Sequence, residues 1–128
     1  MNRKAASLVA LFALAIAMLL QITSAKAESI LDFDLVNKTG YGIKAIYIGP
    51  STSEEWGSNL LKEGTTLENN QKFELKFNPS ATAPKWDIKI EWVDGGDAVY
   101  WKGFKLSDIQ TITLKYSRES GETTAVTE

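Results

Sequence analysis

The residues best placed by type and spacing to do chemistry are two pairs of aspartates. Asp32 and Asp34, in "ILDFDLV", stand two apart; on an extended strand they share a face with Cα atoms about 6.8 Å apart. Paired carboxylates at such separations act as acid and base in glycoside hydrolysis. That chemistry needs one carboxyl with a raised pKa in a cleft, and two aspartates on the solvated face of a strand have no cause for such a shift. A carboxylate-dependent hydrolase therefore ranks last among the readings. Asp94 and Asp97, in "DGGD", offer closely spaced oxygens of the kind that Ca²⁺ gathers. The run lacks the spaced acids and terminal Glu of an EF-hand, and Asp-Gly is equally the pair that a type I′ turn requires. A Ca²⁺-stabilised binding domain is the alternative reading, with Asp108 joining only if the fold brings it near.

The chain of 128 residues contains neither Cys nor His. Without them the Ser-His and Cys-His nucleophile pairs cannot be built, and most metal sites lose their ligands. A Ser-Lys arrangement is open in principle, but no spacing points to one. No catalytic residues and no cofactor are expected, apart from the Ca²⁺ alternative.

The elements that would position any site begin after a leader. "MNRKAASLVALFALAIAMLLQITSAKA" opens with Arg3 and Lys4, runs apolar from Leu8 to Leu20 and ends in the small-x-small triplet Ala25-Lys26-Ala27. The apolar run is shorter than the roughly 18 residues that span a bilayer. It reads as a signal peptide, residues 1–27, cleaved before Glu28. The expected product is residues 28–128, one domain in the periplasm or outside the cell, with no transmembrane anchor left. Three basic residues (Arg3, Lys4, Lys26) and none of the 16 acids leave with the leader, so the remainder carries a net charge of -5. That sign argues against nucleic acid as a partner.

Period-two alternation dominates the rest. Leu31, Phe33 and Leu35 share one face; so do Phe73, Leu75 and Phe77; so do Ile112, Leu114 and Tyr116. "KWDIKIEWV" gives the cleanest pattern, with Trp86, Ile88, Ile90 and Trp92 inward and Lys85, Asp87, Lys89 and Glu91 outward. "NKTGYG" and "RESG" are turn signals, "DGGDA" is a hairpin signal, and Gly103 is a candidate bulge. "IKAIYIG" is the strand expected to return after the first turn, with apolar residues on both faces. The Asn37-Lys38-Thr39 sequon is read as local backbone bonding. Together these predict an all-β antiparallel sandwich of about 7–8 short strands.

One stretch breaks the pattern. In "PSTSEEWGSNLLKEG", Ser53 followed by two acids resembles a helix N-cap, and Trp56 and Leu60 lie four apart. The expectation is a short helical crossover between sheets, with Trp56 an anchor more than a ligand contact. The remaining aromatics do not all fit an inward face: Tyr41, Tyr47, Tyr100 and Trp101 are left over, and in "VYWK" one of Tyr100 and Trp101 must point outward. Surface aromatics favour protein or sugar binding. Tyr47, Trp56, Tyr100 and Trp101 are thus the candidate partner surface.

"FDLVNKTGYGIKAIYIGPSTSEEWGSNLL", with "WDIKI", "ITLKY" and the Gly-Glu-Thr-Thr-Ala tail, resembles a family of small exported bacterial β domains. The resemblance implies fold and location, not a reaction. Sequences of this look sometimes carry the label argininosuccinate lyase, which the residues do not support, since that family is large, helical and oligomeric. The function expected is a non-enzymatic binding or structural module of the periplasm or envelope, its partner another envelope or secreted protein.

Overall fold

Each alternating segment becomes a strand because only an extended chain puts its apolar residues on one side and its charged residues on the other. The computed structural model describes residues 29–53 and 55–128. The proposed leader and its cleavage point at Glu28 lie outside the described residues. Seven strands follow in order: β1 (Phe33–Asn37), β2 (Ile43–Pro50), β3 (Lys72–Leu75), β4 (Trp86–Trp92), β5 (Val99–Phe104), β6 (Thr111–Tyr116) and β7 (Thr123–Thr127). They form a sandwich of two sheets, one ordered β3-β1-β6-β7 and the other β2-β4-β5. Leu35, Ile112 and Leu114 from the first sheet meet Ile46, Ile88, Ile90 and Trp101 from the second in one buried core.

The two hairpins that the turn residues predict are present, β4 with β5 and β6 with β7, both antiparallel. Two pairings differ from expectation. β1 and β6 run parallel, in register from Asp34 opposite Thr111 to Asn37 opposite Leu114; the other ladders are antiparallel. Alternation carries no information about strand direction, so this pair is invisible to it. Nor does β2 return beside β1: the turn at Asn37–Gly42 carries the chain across to the opposite sheet.

Asn37 explains that crossing. It is fully buried; its Nδ2 donates to the carbonyls of Tyr41 (2.8 Å) and Leu67 (2.9 Å), and its Oδ1 accepts from the Thr39 amide (3.0 Å) and hydroxyl (2.6 Å). One side chain thus satisfies backbone groups that have left the ladder. The sequon does local backbone bonding, as read, and both Nδ2 hydrogens are engaged.

β2 puts apolar residues of both parities into the core because its register with β4 shifts between Ile43 and Ala45. The extra residue changes the phase of the alternation, so Ile43 and Ile46 are both fully buried. A second bulge sits between β4 and β5, where Trp86 opposes Phe104 but Ile88 opposes Trp101. Gly103 carries it at φ 80°, a conformation that favours glycine.

The expected helical crossover does not form. Among the described residues, the segment after Pro50 contains turns and bends without a helix, and the one helical element is a 3-10 turn at Leu106–Asp108. The segment instead hydrogen-bonds along the outer edge of β2. Leu60 N donates to Ile46 O (2.9 Å), Asn59 Oδ1 accepts from the amides of Ile46 (2.9 Å) and Leu61 (3.0 Å), and Ile43 and Leu67 exchange a pair of backbone bonds at 2.9 and 2.8 Å. Gly57 weakens a helix, and an unpaired strand edge offers the backbone better partners. Among the described residues no helix is long and apolar enough to cross a membrane.

Candidate functional site

On the face of the β2-β4-β5 sheet turned away from the core, the ladder aligns Tyr47 with Lys89 and Lys89 with Tyr100. This row crosses three strands. The Lys89 ammonium lies 4.5 Å from the centre of the Tyr47 ring and 5.4 Å from that of Trp56. Such cation–π contacts hold the lysine flat against the sheet. Trp56, arriving from the crossover, packs on Tyr100 at 5.8 Å between centroids. Lys102 Nζ lies 6.0 Å from the centre of the Tyr100 ring.

The crossover can bring Trp56 here because Gly49 has no side chain. A Cβ at that position would stand 2.6 Å from the Glu55 carbonyl oxygen and 3.4 Å from the Trp56 ring. Gly49 therefore sets how closely the crossover lies on β2. Beside Trp56 opens a cleft of about 450 Å³, lined by Ser51, Ser53, Trp56, Asp87, Tyr100 and Lys102.

Asp87 lies in this cleft and is only 9% exposed. Its Oδ1 accepts from the Ser51 hydroxyl at 2.6 Å and from the Gly103 amide at 2.8 Å. The bulge at Gly103 turns that amide toward the carboxylate. Oδ2 accepts no hydrogen bond, and Asp87 joins none of the ion pairs, among the described residues. Buried carboxylates normally pair with a cation; Asp87 instead rests on two neutral donors and faces the cleft.

Three of the four aromatics singled out from the sequence thus gather on one face: Tyr47, Trp56 and Tyr100. Trp101 does not join them. It points into the core at 3% exposure, and its Nε1 donates to Thr124 O at 2.9 Å, while its neighbour Tyr100 is 43% exposed. The Tyr47 hydroxyl is held above its ordinary pKa by lost hydration first and by the Glu91 carboxylate second. Comparison with protein families, curated proteins and solved structures finds no match to this chain. The site must be read from its own geometry.

The aspartate pairs serve other ends. Asp94 receives both arms of the Arg118 guanidinium at 2.8 Å each. Those hydrogen bonds hold its carboxyl below the ordinary value, against a smaller opposing effect of lost hydration. The guanidinium also lies 3.6 Å from the Tyr41 ring centre, and Trp92 stacks on Tyr116 at 5.3 Å beneath it. A Ca²⁺ ion at Asp94 would have to displace Arg118. Asp97 lines the neighbouring hollow, Asp108 is paired with Lys105 at 3.2 Å, and no three acids cluster among the described residues.

Asp32 and Asp34 are partners of β3 and its flank. Asp32 Oδ1 accepts from the Phe77 amide at 2.7 Å and Oδ2 from the Ser29 amide at 3.1 Å, and Asp34 lies 3.6 Å from Lys72 Nζ. The residues that sequence reasoning passed over are Asp87, Lys89, Ser51 and Lys102. The alternation of β4 places Asp87 and Lys89 outward and assigns them no partner. The one available signal was Gly103, whose bulge reaches Asp87.

Proposed function

We propose that this protein is a non-enzymatic binding module of the cell envelope, exported by cleavage after Ala27, and that it binds through the outer face of the β2-β4-β5 sheet. The observation that carries the reading is the row Tyr47–Lys89–Tyr100, covered at one end by Trp56. The core takes Trp86, Trp92 and Trp101, whereas on the outer face Tyr100 is exposed and Tyr47 and Trp56 are partly so. Aromatic side chains offer large contact areas at little cost in rotamer entropy, which suits them to recognition. The small acidic domain, with its leader, fits a soluble product outside the cytoplasm.

The test is retention of envelope material by protein purified from its host after processing of its own leader, compared with a Trp56→Ala/Tyr100→Ala double variant of unchanged fold. Retention by the wild type and its loss in the variant is the expected result. Equal retention by both, or none by either, removes the reading. N-terminal sequencing of the exported protein should begin at Glu28; a start at Met1 would remove the leader.

A further inference from the structure

Resting on that reading, we propose that the cleft between Trp56, Tyr100 and Asp87 takes a neutral saccharide, with the Trp56 indole as the platform for a sugar ring and Asp87 Oδ2 as acceptor for its hydroxyls.

The argument begins with charge. The cleft holds one carboxylate, Asp87, and one ammonium, Lys102, with the Lys89 ammonium 5.4 Å from the centre of the Trp56 ring. An anionic ligand would meet the Asp87 carboxylate. A cationic ligand at the two rings would meet the like charges of Lys89, 5.4 Å from the Trp56 ring centre, and Lys102, 6.0 Å from that of Tyr100. A neutral ligand rich in hydroxyls satisfies both signs: its O–H groups donate to Asp87 and accept from Lys102.

Shape and wetness point the same way. The face of an indole carries the negative part of its quadrupole, which favours the weakly positive C–H groups of a sugar ring. Ser51, whose proton goes to Asp87, adds an acceptor oxygen at the cleft wall, and Ser53, whose oxygen accepts from the Glu55 amide, adds a hydroxyl that can donate. Convergent polar groups around an aromatic floor are the composition of a small-ligand site, whereas the apolar centre of a protein interface is depleted of charged groups.

Preorganisation is the third element. Asp87 is held through Oδ1 by Ser51 and by the Gly103 amide, which leaves Oδ2 free to receive a ligand without rearrangement. Trp56 is held by Tyr100 and by the close approach that Gly49 allows. Groups already in place lower the entropic cost of binding.

The experiment follows the emission of Trp56, the partly exposed indole beside three buried ones at 8%, 3% and 3%. The exported protein is titrated with hexasaccharides of glucose, mannose, galactose and N-acetylglucosamine, and separately with an oligouronide and a trimethylammonium compound, with calorimetry in parallel. At least one neutral hexasaccharide should bind and shift the emission. Its affinity should fall about tenfold or more in Trp56→Ala and in Asp87→Asn, the latter keeping Oδ1 as acceptor. Should Trp56→Ala fail to fold, Tyr100→Ala and Lys102→Gln carry the same expectation. No binding by any neutral hexasaccharide at millimolar concentration, preference for the uronide or the ammonium compound, or equal affinity in the variants overturns the proposal. If the wild type retains a protein from the envelope through the same face and binds no saccharide, the binding-module reading stands and the saccharide falls. If neither retention nor saccharide binding occurs, both fall.

Discussion

The indole of Trp56 rests on the ring of Tyr100 with 5.8 Å between centroids and 48° between planes. One residue belongs to an irregular crossover and the other to the regular strand β5. The pair joins two elements that share no backbone ladder, and it does so at the surface, while Trp101, one position further along β5, is in the core.

Trp101→Ala should therefore cost about 3–5 kcal/mol, the usual loss for a large buried aromatic. Trp56→Ala should cost about 1 kcal/mol, the size of one aromatic pair. Urea unfolding of both variants measures the difference, and equal costs would contradict the placement of the two side chains.

Gly49→Ala puts a methyl group 2.6 Å from the Glu55 carbonyl oxygen. Overpacking of that kind costs about 1–3 kcal/mol. Because the same group crowds the Trp56 ring, the emission of Trp56 should shift to the red as the indole leaves Tyr100. Gly57→Ala, where an added Cβ meets nothing within 4 Å, should change neither stability nor emission appreciably.

Asn37→Ala removes two donated and two accepted hydrogen bonds from a fully buried position. The Leu67 and Tyr41 carbonyls lose a donor each, and the expected loss is about 3 kcal/mol. Denaturant melts check the value; a loss near zero would mean that water replaces the side chain.

Asp94 supplies a pH signature. Its folded pKa lies below the ordinary 3.8, with the Arg118 hydrogen bonds as the main cause. The ion pair's contribution is therefore fully present above the unfolded value and is lost as pH falls through the lower, folded one. The Tm of the wild type should exceed that of Asp94→Asn by a constant amount from pH 7 to pH 5, and the gap should close below about pH 4. Both groups are near solvent, so added salt should narrow the gap at neutral pH. A gap that widened on acidification would be inconsistent with the pairing.

The strands, their inward residues and the two hairpins were legible because alternation and turn chemistry are local. Trp86, Ile88, Ile90 and Trp92 lie inward on β4 and are buried together, and Asp-Gly-Gly-Asp turns β4 into β5. The burial of Trp101 beside exposed Tyr100 was half legible: the backbone dictates that neighbours face opposite ways, but not which one faces the core. The parallel pairing of β1 with β6 was not legible at all, since a strand's pattern reads the same in both directions.

The candidate site lay beyond the sequence for a similar reason. Serine, acids and a Trp-Leu spacing of four favoured a helical turn near Ser53, a preference worth tenths of a kcal/mol per residue. The open edge of β2 overrode it by offering backbone partners to Leu60, Asn59 and Leu67. Once the crossover lay on that edge, Gly49 admitted Trp56 to the outer face and brought it beside Tyr100 and Asp87. By itself the sequence determined a β domain with its core residues and turns, because those follow from periods of two and from which residues tolerate a turn. Only the tertiary structure decided which aromatics share a surface and which carboxylate is left facing a cleft, because those depend on contacts between segments far apart in the chain.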